Sequence, residues 1–95
     1  MGEMFRLHVI VEGTVQGVGF RYFVLDIVTS LDINGWVRNR WDGNVEVMAE
    51  GTRQDLEKLL SALYRGPRSA DVRAVQPEWS EASGEFTGFN LRKTE

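Results

Sequence analysis

Gly13-Thr14-Val15-Gln16-Gly17-Val18-Gly19-Phe20-Arg21 joins an apolar strand to an apolar helix through three glycines and finishes on an arginine. Upstream, Phe5, Leu7, Val9 and Val11 alternate with Arg6, His8, Ile10 and Glu12, the pattern of a strand from Phe5 to Gly13 with one buried face. Downstream, Phe20, Val24, Ile27, Val28 and Leu31 recur at helical spacing and predict an amphipathic helix ending near Leu31. The junction carries two local costs. Glycine loses roughly 0.5–1 kcal/mol of backbone entropy where another residue would serve. An arginine in a first helical turn meets the positive end of the dipole, a penalty of about 0.3–1 kcal/mol. Both costs are intelligible if the turn is built to hold an anion.

Working outward, Asn34-Gly35 leads into a strand from Trp36 to Arg40, and Trp41-Asp42-Gly43-Asn44 turns it into a third strand from Val45 to Glu50. Asp-Gly between two strand-like runs is a strong hairpin signal. Thr52, with Asp55 three residues later, resembles a capping box with Asp in place of Glu, and Leu56, Leu59, Leu60, Leu63 and Tyr64 give a second helical stripe. Gly66-Pro67 stops that helix. A strand from Val72 to Trp79, a polar turn from Ser80 to Gly84 and a last strand from Phe86 to Arg92 follow. The order predicts an α+β fold: a ferredoxin-like two-layer sandwich, βαββαβ with an extra short C-terminal strand, its antiparallel sheet carrying two helices on one face. Residues 1–95 are expected to form one domain, with no internal repeat or linker.

Ninety-five residues bury about 65% of the unfolded chain's surface, enough for one thin core. With 42% hydrophobic and 26% charged residues the composition is that of an ordinary globular domain. The absence of cysteine excludes disulfides, a thiolate nucleophile and thiolate-ligated metal. No basic segment precedes a long apolar run, and no stretch reaches the roughly 20 apolar residues of a membrane span, so a soluble cytoplasmic protein is expected. Met1-Gly2 is not an acylation signal, because Arg6 stands where that motif wants Ser or Thr. A net charge of -3 argues against nucleic-acid backbones as partners, so any anion site must be local.

The glycine loop fits neither familiar nucleotide motif. Counting from Gly13 puts Val18 where a Walker loop needs glycine, and counting from Gly17 puts Tyr22 where the dinucleotide fingerprint needs its third. What remains is the physics of successive N–H groups at a strand-to-helix turn, a concave donor site for one tetrahedral anion. Arg21 completes it, since a guanidinium gives two parallel hydrogen bonds to phosphate oxygens and keeps its charge. Asn39 is the second unusual residue, for asparagine is depleted in strands. Its carboxamide, donor and acceptor at once, suits a water that attacks phosphorus or carbon.

Val15-Gln16-Gly17-Val18-Gly19-Phe20-Arg21, followed 14 residues later by Gly35-Trp36-Val37-Arg38-Asn39 and then by Asp42-Gly43-Asn44-Val45-Glu46, resembles both signature segments of the acylphosphatases. The resemblance implies hydrolysis of a small-molecule acyl phosphate to a carboxylate and inorganic phosphate, with no metal and no organic cofactor. It implies that Arg21 and the loop amides of Val15, Gln16, Gly17, Val18, Gly19 and Phe20 bind the phosphate, and that Asn39 orients the attacking water. Inorganic phosphate or sulfate is the anion expected in the loop, and a monomer is expected. Neither segment supplies a side-chain base of near-neutral pKa, which points to the substrate's own phosphate oxygen as acceptor of the water proton. Three positions depart from the family pattern: Thr14 replaces a frequently basic residue, Val28 a small one, and Asp32 the glycine after the first helix.

His8, the only histidine, reads as a half-exposed structural residue on its strand, and Asp26 and Asp32 as solvated charge. Trp36, Trp41 and Trp79 are assigned to packing. An RNA-binding sheet is disfavoured by the third strand, Asn44 to Glu50, which has no aromatic and carries Glu46 and Glu50. The alternatives to a hydrolase are an anion sensor or a relative of the acylphosphatase-like domain of hydrogenase-maturation carbamoyltransferases.

Overall fold

A computed structural model describes residues 3–95, so the reading of Met1-Gly2 lies outside the described residues. The chain forms β1 (Met4–Thr14), α1 (Phe20–Val28), β2 (Ile33–Asn39), β3 (Val45–Thr52), α2 (Arg53–Arg65), β4 (Asp71–Glu81) and β5 (Phe89–Leu91). The strands lie in the order β4-β1-β3-β2-β5. This is the expected ferredoxin-like order with one added edge strand.

The alternation read in β1 sorts the sheet into two faces. Leu7, Val9 and Val11 are fully buried, as are their partners Ala49, Val47 and Val45 on β3. Phe20 and Val24 of α1 and Leu56, Leu59 and Leu63 of α2 close over them in one cluster. Each of the valine, leucine and phenylalanine side chains contributes roughly 1.5–3 kcal/mol on burial, which makes this layer the main stabilising element. The helices therefore cover one face, as the pattern predicts, and the even-numbered residues of β1 turn to the other.

Three local expectations need correction. The first four strands pair antiparallel, but β5 runs parallel to β2, so the sheet is mixed. The reason is geometric: β4 ends at Glu81 beside Phe5, at the end of the sheet where β2 begins, since Ile33 and Phe5 both pair with Gly51. A segment crossing that end reaches the far edge travelling in β2's direction. The last strand is also shorter than Phe86 to Arg92, because residues 82–88 make that crossing. Trp41 and Tyr64, read as packing residues, are 82% and 55% exposed. Trp41 sits on the hairpin tip, and Tyr64 falls just outside the stripe that Ala62 and Leu63 bury. Trp36 is buried and Trp79 packs against the core, as expected.

The crossing segment covers part of the open face and accounts for its charges. Glu50, 4% exposed, accepts from the amides of Ser83 (2.8 Å) and Gly84 (2.9 Å) and from Arg6 Nε (2.8 Å). Burial pushes its carboxyl up, but the Ser83 and Gly84 amides and Arg6 outweigh that and hold it below the ordinary range. Glu46, 6% exposed, accepts from His8 Nε2 at 2.6 Å and Arg38 Nε at 2.8 Å. It too is driven up by burial and brought net downward by His8 and Arg38. His8 is thus the structural residue expected, with a carboxylate partner.

Candidate active site at the start of the first helix

The loop between β1 and α1 stands at the end of the sheet opposite the Glu50 cluster. Gly17 (φ +73°) and Gly19 (φ +78°, ψ +19°) both take the left-handed conformation, where a Cβ costs roughly 1–2 kcal/mol. Their alternation with Val18 bends the chain into a notch before the helix starts. Val15 and Phe20 anchor the notch at either end, at 1% and 2% exposure.

Helix α1 begins without the usual provisions. Gly19 at its N-cap offers no side-chain cap and the first turn has no acidic residue. The first intrahelical bond runs from Phe23 N to Gly19 O at 2.9 Å. Among the described residues, the N–H groups from Gln16 to Tyr22 donate to no protein acceptor. Such orphan donors are met by side chains, water, tighter 3-10 bonds or a ligand, and a helix start of this kind is one that can accept an anion. Arg21, the second residue of the helix, is half-buried, and among the described residues its guanidinium has no carboxylate partner.

Asn39 ends β2. It shares the helix-covered face with Ile33 and Val37, being six and two residues from them on one strand, and it is half-buried. Its backbone is held from both edges: it pairs with Val45 on β3, and its carbonyl accepts from Glu95 N at 3.1 Å. Among the described residues its carboxamide makes no hydrogen bond. The adjoining hairpin is closed by Arg40 N donating to Asn44 O (2.9 Å) and Gly43 N to Arg40 O (3.1 Å). Asp42 braces it, its carboxyl held below the ordinary range first by the Asn44 amide and then by Arg40.

Two side-chain contacts of this loop escape a reading of the sequence. Gln16 counts there only for its amide, yet its side-chain Nε2 donates to Arg40 O at 2.7 Å and Asn44 O at 2.8 Å. Ser69, on the α2–β4 connection, donates from Oγ to Val18 O at 2.9 Å. The glutamine is visible as the one amide side chain in a glycine loop. Ser69 leaves no comparable signal.

Two hollows lie away from the notch. One, of about 370 Å³, is on the open face between Arg6, Trp36, Phe86 and Arg92; the other, of about 630 Å³, lies beside Phe23, Arg65, Pro67 and Arg68. Neither is lined by the notch. A site for a tetrahedral dianion draws its affinity from N–H groups and charge rather than from enclosed apolar surface. Among the described residues no group of three His, Asp or Glu side chains is arranged to hold a metal ion. Among the described residues no helix is long and apolar enough to cross a membrane.

The chain matches the family model described as acylphosphatase over residues 7–91. It is 48% identical over 86 residues to the acylphosphatase of Pelotomaculum thermopropionicum, covering 90% of this chain and 94% of that one. The crystal structure of acylphosphatase from Bacillus subtilis superposes with a TM-score of 0.88 at 35% identity, covering 93% of this chain and 98% of that one. Full-length HypF, in its phosphate- and nucleotide-bound form, matches with a TM-score of 0.89 at 26% identity; all of this chain lies on 13% of HypF.

Proposed function

The chain belongs to the acylphosphatase family and hydrolyses acyl phosphates to a carboxylate and inorganic phosphate, and from that premise we propose how its residues divide the work. The amides from Val15 to Phe20 and the Arg21 guanidinium hold the phosphoryl oxygens. The Asn39 carboxamide holds the attacking water. The observation that carries this reading is the set of donors at the start of α1 that have no protein acceptor among the described residues, beside an arginine with no carboxylate partner among them.

An acyl phosphate is a mixed anhydride with a carboxylate leaving group, so its hydrolysis needs alignment and charge stabilisation more than a strong base. Water oxygen bonds to phosphorus while the bond from phosphorus to the acyl oxygen breaks. Its electron pair leaves with the carboxylate, and the water proton passes to a phosphate oxygen. Amide dipoles fixed by the fold and a permanent cation stabilise the charge on the equatorial oxygens without reorganising. Residues 1–95 act as one domain and a monomer, with inorganic phosphate, or sulfate in its place, as the resting anion.

The test is incubation with benzoyl phosphate or acetyl phosphate in the presence of EDTA. Phosphate release unchanged by the chelator is expected. Activity that disappears and returns only with added metal contradicts the mechanism, and saturable phosphate binding without turnover favours an anion sensor.

A further inference from the structure

Gln16 belongs to the phosphate loop by its backbone and to the β2–β3 hairpin by its side chain. Both protons of its Nε2 amide are committed, one to Arg40 O at 2.7 Å and one to Asn44 O at 2.8 Å. Each of those carbonyls already accepts a hairpin bond, from Gly43 N and from Arg40 N respectively. The hairpin therefore closes without Gln16, and what the carboxamide adds is a connection between two separate pieces of chain. Arg40 directly follows Asn39, whose own backbone is fixed by Val45 and Glu95.

We propose that Gln16 is a positioning residue: its carboxamide sets the register between the phosphate loop and the Asn39 side chain, so that phosphorus and the attacking water meet in line. The proposal rests on the roles of Arg21 and Asn39 given above. The loop needs such a strut because it turns on Gly17 and Gly19, the most permissive residues for backbone movement. On its far side Ser69 ties Val18 to the α2–β4 connection, which contains no part of β2. Among the described residues Gln16 makes the only side-chain hydrogen bonds from the loop to the hairpin behind Asn39. A displacement of about 1 Å between reacting groups is enough to lose roughly 100-fold in rate.

Gln16→Met keeps the length of the side chain without its donors, and Gln16→Glu keeps its shape but offers only acceptors to the two carbonyls. Each is assayed on benzoyl phosphate in the full chain, alone and combined with Asn39→Ala, with inorganic phosphate as competing inhibitor and circular dichroism as the check on folding. The expected result is a kcat lower by roughly 10- to 100-fold. The inhibition constant of phosphate should move by less than about threefold, because the amides and Arg21 remain. With Asn39 already removed, the same substitution should cost less than about threefold, the non-additivity of two residues serving one interaction. Wild-type kcat, an equal loss with and without Asn39, or a loss confined to phosphate affinity overturns the proposal. Failure of both variants to fold assigns Gln16 to the fold and overturns it as well. Full activity of both Arg21→Ala and Asn39→Ala removes the premise itself, an outcome distinct from any reached with Gln16 alone.

Discussion

The two helices of this chain treat their first turns in opposite ways. At α2, Thr52 Oγ1 accepts from Asp55 N at 3.3 Å, and Asp55 sets a carboxylate against the positive end of the helix. At α1, Gly19 provides no side-chain cap, no acid stands in the first turn, and an arginine takes its second position. A side-chain cap contributes about 0.5–2 kcal/mol, so α1 forgoes stability that α2 collects. What α1 retains is a set of N–H donors with no protein acceptor among the described residues. The same contrast separates the carboxylate of Glu50, engaged by two amides and Arg6, from the carboxamide of Asn39, which has no partner among the described residues. Polar groups satisfied by the chain hold its shape; those without a protein partner among the described residues are the ones the proposed function uses.

Breaking the open end should abolish chemistry and spare the fold. Arg21→Ala is expected to lower kcat/KM on benzoyl phosphate by on the order of 10³-fold, with an unchanged circular dichroism spectrum. Asn39→Ala should lower kcat by about 10²-fold and leave phosphate inhibition nearly intact, since it removes one positioned group and no cation. Retention of wild-type kcat would take Asn39 out of the mechanism.

Breaking the satisfied end should do the reverse. Glu50→Ala leaves the Ser83 and Gly84 amides and Arg6 Nε without their acceptor and should cost about 1–3 kcal/mol in denaturant unfolding, with kcat/KM unchanged. Acid titrates the same interaction. The folded Glu50 carboxyl lies below its ordinary value of 4.5, so its contribution is complete above that value and is lost as pH falls through the lower, folded one. Unfolding transitions followed downward from neutral pH should therefore show wild type losing stability below about pH 4.5 more steeply than Glu50→Ala. The smallest effect is expected at the capped helix: Thr52→Ala should cost about 1 kcal/mol without touching kcat.

Much of this organisation is legible in the sequence because it is local. The alternation of Leu7, Val9 and Val11 and the stripe from Phe20 to Val28 describe one face of one element, so burial follows from spacing. Gly17, Gly19 and Arg21 announce the notch because their local costs fall together. Long-range geometry was not legible in this way. The direction of β5 depends on which end of the sheet residues 82–88 cross, and no property of Phe89-Asn90-Leu91 encodes that. Alternation puts Glu46 and Glu50 on the open face but does not reveal that His8, Arg38 and the crossing segment bury them. The bonds of Gln16 and Ser69 span 24, 28 and 51 residues and end on backbone carbonyls, which every residue possesses. A side chain whose partner is main chain leaves no complementary residue to find.

The central claim is that the amides at the start of α1 act with Arg21 as one receptor for a phosphate group. A titration of the ¹⁵N-labelled protein with inorganic phosphate, followed amide by amide, tests it most directly. The resonances from Gln16 to Arg21 should move together along one saturable curve in the wild type and lose that response in Arg21→Ala. Saturable shifts centred on Arg65 and Arg68, or none in the loop at saturating phosphate, would contradict the account.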